Sequence, residues 1–303
     1  MNELPKDNKE KQFLIGMLAS MFCWGLSWAS GKVLSGYGQS TSIAALRLSI
    51  TFVALLGILF LMKEKMSVKI NGWFPLFIAS VFMTIYNYLF FEGLLHGKPG
   101  AGGVLVTTLN PIISYGIMLI ANRRKPSKKE AIGLLVGLIA GAILLKIWNN
   151  WNSILSSGNI YFVLATITWA ILSLFTSKSS RYGSPIAYSL WMYGCCSVLM
   201  LFFTTYVANV ALYESSDKLF WFNIAFSAVI TTAFATTFYF VATARLGAGK
   251  ASSFIFLVPF SAAMGSWVFL NERPEIHTIA GGLLGIVAVY LLNKKSQNEP
   301  LKN

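Results

Sequence analysis

The chain has 303 residues, a formal net charge of +13 and an apolar composition, with 55% hydrophobic and only 12% charged residues. Soluble domains carry about 25% charged residues. The composition, with a mean hydropathy of +0.63, therefore excludes a soluble globular protein and indicates an integral membrane protein. The basic residues are confined to a few loops, so we expect them to reflect membrane topology, and we expect no nucleic-acid partner.

Ten hydrophobic stretches follow one another along the chain, each close to the roughly 20 residues that a helix needs to cross a lipid bilayer. We expect the first stretch to remain as a helix, because it shows no signal-peptide cleavage pattern. The predicted fold class is all-α integral membrane, with ten transmembrane helices. The predicted spans are residues 13–33, 40–62, 73–94, 99–121, 129–147, 159–178, 184–209, 219–243, 251–270 and 276–292.

Two segments of the chain repeat one pattern at a constant offset. Pro111 recurs as Pro259, 148 positions later, and glycines and leucines recur in the same register over about 40 residues. A constant offset over that length indicates an internal duplication. The predicted repeats are residues 13–147 and 159–293. Because each repeat has an odd number of spans, we expect the second to be inserted upside down relative to the first.

The distribution of positive charge sets the predicted orientation. If the N-terminus is cytoplasmic, the inner segments hold 18 Lys and Arg residues and the outer segments hold 5. The positive-inside rule then places both termini in the cytoplasm. The loop after span four is basic, whereas its copy after span nine carries Glu272 and Glu275. Inverted repeats are typical of secondary transporters, whose substrate site lies between the halves.

The spans and motifs resemble the EamA-type family of the drug/metabolite transporter superfamily over about residues 13–293. The resemblance rests on two five-helix halves, the Trp24-Gly25 pair in span one, and Pro111 and Pro259, each followed by a proline-flanked loop and a glycine-rich span. The acidic residue usual after the proline-bearing helix of that family is Glu272 in the second copy, whereas Arg124 replaces it in the first. The resemblance implies a metabolite carrier in the bacterial inner (plasma) membrane.

Aromatic residues inside the spans are candidates for the substrate cavity. Trp24 and Trp28 lie four residues apart and therefore on one helix face, although membrane tryptophans normally lie at the interfaces. Trp169 occupies a similar place in the second repeat. Packing between helices is the alternative for each of them. The remaining aromatic candidates are Tyr86, Tyr115, Trp191 and Tyr239.

Polar residues within the spans are the second group of candidates. Asn87 and Asn110 must find hydrogen-bond partners at membrane depth, either in a substrate or in a neighbouring helix. Arg47 is the one ionisable residue clearly inside a span. It is a candidate for binding a substrate carboxylate or for extending to the outer surface. Glu92 lies near the outer end of span three and is a candidate for pairing with Arg47, or else a solvated carboxylate.

Proline and glycine positions suggest how the spans bend and pack. Pro111 and Pro259 each remove a backbone donor and free a carbonyl about one turn earlier. We interpret both as kinks that shape the pathway, with simple packing kinks as the alternative. The glycine faces of spans five and ten allow close helix packing. Packing within a monomer is expected, and a homodimer interface is the alternative.

The sequence predicts no metal and no cofactor, because it lacks a Cys/His spacing motif. It also lacks carboxylates deep within the spans, which favours a carrier without a proton relay. We predict a non-enzymatic secondary transporter that exports a small organic metabolite, such as an amino acid, by alternating access. A drug or nucleotide-sugar type exchanger is the alternative. A membrane scaffold or enzyme is disfavoured, because no catalytic constellation is visible.

Overall fold

The computed structural model describes residues 6–121, 123, 125–148, 158–246 and 253–293, and the elements in these ranges are helical apart from one isolated β-bridge. The first half contains five long helices. They are α1 Lys6–Ser35, α2 Ser40–Met62, α3 Trp73–His96, α4 Pro99–Ala121 and α5 Lys128–Leu145.

The described part of the second half contains seven α-helices and one π-helix. The π-helix joins α9 to α10 without interruption, and a short 3₁₀ turn, Ser253–Phe256, precedes α11. The elements are α6 Asn159–Thr176, α7 Pro185–Phe202, α8 Tyr206–Ser215, α9 Lys218–Ala225, the π-helix Phe226–Thr236, α10 Thr237–Leu246, α11 Leu257–Leu270 and α12 Ile276–Asn293.

Among the described residues, six helical segments are long and apolar enough to cross a membrane, and α11 and the apolar part of α12 are shorter apolar helices. The two remaining predicted spans correspond to α4 and α5, with 23 and 18 residues. The six segments are Phe13–Ser35, Ser40–Met62, Ile70–His96, Asn159–Arg181, Pro185–Phe202 and Lys218–Ala242. The all-α membrane fold class is thus confirmed.

The predicted seventh span is wrong at its C-terminal end. It was expected to continue to residue 209, but α7 ends at Phe202 and a separate helix, α8, begins at Tyr206. The 18 residues of α7 already cover about 27 Å, close to the hydrocarbon thickness. Thr205 then adopts an extended conformation, and its hydroxyl accepts a hydrogen bond from the backbone N–H of Ala208, which starts the new helix.

The helix packing shows a pseudo-two-fold relation between the halves. The contact of α1 with α11 corresponds to the contact of α6 with α4 in the other repeat. The contact of α3 with α6 likewise corresponds to the contact of the π-helix with α1. Three helices of the first repeat contact their own counterpart in the second: α2 contacts α7, α4 contacts α11, and α5 contacts α12. At the α2–α7 contact the hydroxyls of Ser49 and Ser197, which are 148 positions apart, share a hydrogen bond of 2.6 Å. Arg123 and Asn271 share the same offset and the same left-handed backbone, with φ of 48° and 55°.

Contacts at one end of the molecule show that the two copies run in opposite directions. Lys146 follows α5 and Glu275 precedes α12, yet the Lys146 Nζ lies 2.6 Å from the Glu275 carboxylate. Gly100, near the start of α4, donates its backbone N–H to Glu272, which follows α11, at 3.2 Å. The end of each helix therefore lies beside the start of its copy. We call this end of the bundle the Glu275 end.

The glycine faces of α5 and α12 are occupied within the chain. A Cβ added at Gly137 or Gly281 would come within 2.5–2.7 Å of side chains on α4 or α5. At Gly285 it would lie 2.0 Å from Thr108 of α4. These glycines are therefore required for close packing of α4, α5 and α12, which is the intramolecular use expected from the sequence.

Glu275 provides a test of how the two halves are joined. Its hydrogen bonds from Lys146 and Lys98 lower the pKa of the carboxyl from 4.5 to about 2. A lowered pKa contributes stability that is present above the unfolded-state pKa and is lost as the pH falls through the folded-state value. Because Glu275 is partly exposed, we expect Glu275→Gln to cost about 1 kcal/mol or less.

The cost of Glu275→Gln should be constant between about pH 7 and pH 8 and should disappear as the pH approaches about 2. Between these ranges the His277 ring, whose Nδ1 lies 3.4 Å from the Glu275 carboxylate, also gains a proton and contributes to the cost. Thermal unfolding of the wild type and the variant in detergent measures this difference. Glu64→Gln is a control, because Glu64 lies in the loop after α2. A cost that changed strongly between pH 7 and pH 8 would contradict the assigned ion pairs with Lys98 and Lys146.

Candidate functional site

A small cavity lies inside the helix bundle and is formed by both repeats. Helices α1 to α4 contribute from the first repeat, and α6, α7, the π-helix and the start of α11 contribute from the second. The space open to the centres of water-sized spheres is about 70 Å³, so the cavity holds several water molecules. The cavity thus lies between the two halves, where inverted-repeat carriers bind their substrates.

Aromatic rings form much of the cavity wall. Trp24 of α1 and Trp169 of α6 meet edge to face, with ring centroids 5.8 Å apart. Tyr86 of α3 packs on Trp169 at 4.7 Å, and Trp28 packs on Phe90 at 5.0 Å. All five side chains line the cavity. Trp24 and Trp169 lie in the first helix of each repeat, so rings from both repeats meet in the aromatic wall.

Arg47 brings a buried positive charge to this cavity. Its side chain is only 7% exposed, and its Nε and Nη2 donate to the Thr232 hydroxyl at 3.2 and 2.8 Å. The guanidinium carbon lies 5.5 Å from the ring centre of Phe90, within cation–π range. Its Nη1 has no hydrogen-bond partner. The side chain therefore does not extend to the outer surface, and one of its donors remains available.

The π-helix supplies three hydroxyl groups that the sequence analysis missed. Thr231, Thr232 and Thr236 all line the cavity. Thr236 accepts a hydrogen bond from the Trp24 indole N–H at 3.0 Å, and Thr232 holds Arg47. The signal in the sequence is the run of four threonines between residues 231 and 237, in the middle of a span. π-helices occur frequently at functional sites.

Two amide side chains add polar atoms to the wall. Asn87 is 2% exposed, and its Nδ2 donates to the carbonyl of Met83 at 2.8 Å. The Oδ1 of Asn110 accepts from the Ser114 hydroxyl at 3.1 Å. Each amide thus uses one polar atom within its own helix. The Asn87 carbonyl oxygen and the Asn110 amino group remain available to a ligand.

The two prolines have different structural roles. Pro111 lies in the interior of α4 and has no N–H to offer the carbonyl of Thr107, a cavity residue; a bend of α4 there stays a prediction. Pro259 is the third residue of α11 and follows the 3₁₀ turn. First-turn N–H groups have no partner within a helix. Pro259 therefore lies in the first turn of α11, and a kink of span nine there stays a prediction.

Three of the predicted aromatic candidates do not line the cavity. Trp191 donates its indole N–H to the carbonyl of Met66 at 2.7 Å, at the end of the bundle opposite Glu275. Tyr115 donates its hydroxyl to Glu130 near the start of α5. Tyr239 packs behind Trp24, with ring centroids 4.9 Å apart, and supports the wall from outside. Sequence position within a span therefore did not decide which face of the helix each ring occupies.

Glu92 does not form the predicted pair with Arg47. Its carboxylate lies 3.5 Å from the His96 Nε2, one turn later on α3. The guanidinium of Arg47 faces Thr232 instead. Among the described residues, no group of three or more His, Cys, Asp or Glu side chains is arranged to hold a metal ion.

The architecture defines a class of protein: a helical membrane transporter with two repeats around a central cavity. The EamA-like transporter family model matches residues 12–146 and again residues 156–294. The chain therefore belongs to the EamA-like transporter family, as the sequence motifs indicated.

Individual relatives are similar over nearly the whole chain. It is 25% identical over 280 residues to the uncharacterized transporter YoaV of Bacillus subtilis, covering 92% of this chain and 95% of the relative. It is 24% identical over 294 residues to a chloroplastic WAT1-related protein of Arabidopsis thaliana, covering 93% and 70%. One solved crystal structure shares the fold, with a TM-score of 0.64 at 12% identity, and the likeness covers 93% of this chain and 96% of the other.

Two tryptophans offer a matched test of the cavity. Trp24→Phe keeps a ring but removes the hydrogen bond to Thr236, so we expect weaker substrate binding, by about threefold to tenfold. Trp191→Phe removes a similar hydrogen bond outside the cavity, so we expect lower thermal stability but unchanged substrate affinity. Counterflow kinetics in proteoliposomes, combined with thermal unfolding, separates the two effects. Equal changes in affinity for both variants would remove Trp24 from the site.

Proposed function

We propose that the chain is a secondary transporter that exports a small carboxylate-bearing metabolite, such as an amino acid, by alternating access. The observation that carries this proposal is the buried guanidinium of Arg47, which keeps one unpartnered donor in an otherwise uncharged aromatic cavity. A buried charge without a partner is costly. An anionic substrate would supply the missing partner at the centre of the carrier.

The remainder of the cavity suits the positive group of a zwitterion. The faces of Trp24, Tyr86 and Trp169 offer cation–π contacts. The Asn87 carbonyl oxygen and the Thr107 carbonyl offer acceptors for an ammonium group. These uncharged acceptors would accommodate an ammonium group beside the carboxylate, so the described cavity is compatible with a zwitterion.

Charge also bears on the alternative of a nucleotide-sugar exchanger. A diphosphate carries more than one negative charge, and Arg47 is the only cationic side chain among the described lining residues.

The inverted packing of the repeats supports alternating access. If each half took up the conformation of the other, the cavity would open first to one side of the membrane and then to the other. At the Glu275 end, Lys98 and Lys146 bridge to Glu275, and the Lys32 ammonium donates to the carbonyl of Leu94 at 2.5 Å. We propose that these contacts must break when the cavity opens at this end.

A substrate screen with Arg47 variants tests the proposal. We expect counterflow in proteoliposomes with at least one of the twenty common L-amino acids, and little with the matching amide, which lacks the carboxylate. Arg47→Gln should reduce this transport by about tenfold to hundredfold, and Arg47→Lys should retain part of it. Transport of nucleotide sugars without any amino acid, or unchanged transport by Arg47→Gln, would overturn the assignment.

The proposed membrane orientation has its own test. We propose a bacterial inner-membrane location with both termini in the cytoplasm and the Glu275 end outside, because 18 of the basic residues then lie in inner segments. Reporter fusions after Lys125 and after Glu275 should report opposite sides of the membrane, with the Lys125 fusion inside. Reporters on the same side would contradict the topology.

A further inference from the structure

The π-helix changes which threonines share the cavity face. In an α-helix, residues five positions apart point about 140° away from each other. In a π-helix the backbone bonds join residues five positions apart, so Thr231 and Thr236 lie on the same side. Both line the cavity, and so does Thr232. The π-helix therefore concentrates three hydroxyls opposite α1 and α2.

Two of these hydroxyls are committed to parallel chains of hydrogen bonds. Arg47 donates to Thr232, whose hydroxyl donates to the carbonyl of Ser227 at 2.8 Å. Trp24 donates to Thr236, whose hydroxyl donates to the carbonyl of Thr231 at 3.1 Å. Each chain runs from the first repeat to a carbonyl five residues back on the π-helix. Thr232 thus positions the guanidinium and fixes the direction in which Nη1 points.

The third hydroxyl is left without a partner. Thr231 is 2% exposed, and its Oγ1 makes no hydrogen bond. The neighbouring residue, Thr232, holds Arg47, whose Nη1 is also unpartnered. Arg47 and Thr231, one from each repeat, thus supply two of the three buried donors that remain unused in the described cavity wall, and the third is the Tyr193 hydroxyl.

We infer that Thr231 is a second ligand of the substrate's anionic group, donating its hydroxyl hydrogen to the carboxylate that Arg47 binds through Nη1. This inference rests on the proposed function. A carboxylate has two oxygens and accepts from both donors at once. The anion would then bridge α2 and the π-helix, and hence the two repeats. Thr231 would contribute to selectivity for a carboxylate over its uncharged amide.

Three substitutions on one segment test this role. Thr231→Val removes the hydroxyl without changing the shape of the side chain, and Thr231→Ser keeps the hydroxyl. Thr237→Val is the matched control, because the Thr237 hydroxyl is also buried and unpartnered but does not line the cavity. Each purified variant is tested against the twenty common L-amino acids and their amides by thermal shift and counterflow.

We expect Thr231→Val to weaken binding of the preferred amino acid by about tenfold to hundredfold and to change amide binding little. Thr231→Ser should stay within about threefold of the wild type, and Thr237→Val should not alter the ratio of the two affinities. If the wild type prefers the amino acid and Thr231→Val keeps the same ratio, the role of Thr231 is wrong while the proposed function stands. If the wild type shows no preference for any carboxylate, both fail.

Discussion

Within a bilayer, every polar group must find its partner inside the protein or in a ligand. This constraint accounts for the helical backbone, in which hydrogen bonds are satisfied within each segment. It also accounts for the side-chain bonds between the repeats, such as Trp24 with Thr236 and Arg47 with Thr232. Among the buried groups of the described residues that lack a partner, three line the central cavity: Nη1 of Arg47 and the hydroxyls of Tyr193 and Thr231. We therefore attach the transport function to these exceptions.

The repeats are alike in packing but unlike in the chemistry of the cavity. Trp24 and Trp169, in the first helix of each repeat, are in contact, and Ser49 and Ser197 are bonded across the pseudo-two-fold axis. Arg47 has no charged counterpart, because the residue 148 positions later is Cys195. A symmetrical scaffold thus surrounds an asymmetric site. In the proposed mechanism, this combination would allow the halves to exchange conformations while the substrate keeps one orientation relative to Arg47.

Sequence reasoning identified part of the cavity because composition limits what a membrane span can contain. Arg47 and Asn87 stand out since charged and amide side chains are costly in hydrocarbon, and both line the cavity. Trp191 and Tyr115 were equally unusual by position, yet both bond elsewhere. The hydroxyl of a tyrosine and the indole N–H of a tryptophan can each donate to any nearby acceptor. The presence of such a residue in a span therefore does not predict which way its side chain points. The threonines were overlooked because a hydroxyl can bond to its own helix.

The sequence by itself determined the class of the fold, the duplication and the membership of a transporter family. Hydropathy, the 148-residue offset and the proline and glycine motifs are local or periodic features, and the bilayer leaves few structures compatible with them. Only the tertiary structure decided which polar atoms meet. The π-helical register that gathers Thr231, Thr232 and Thr236, and the placement of Arg47 against it, depend on packing between distant helices. No pattern within a single span specifies that packing.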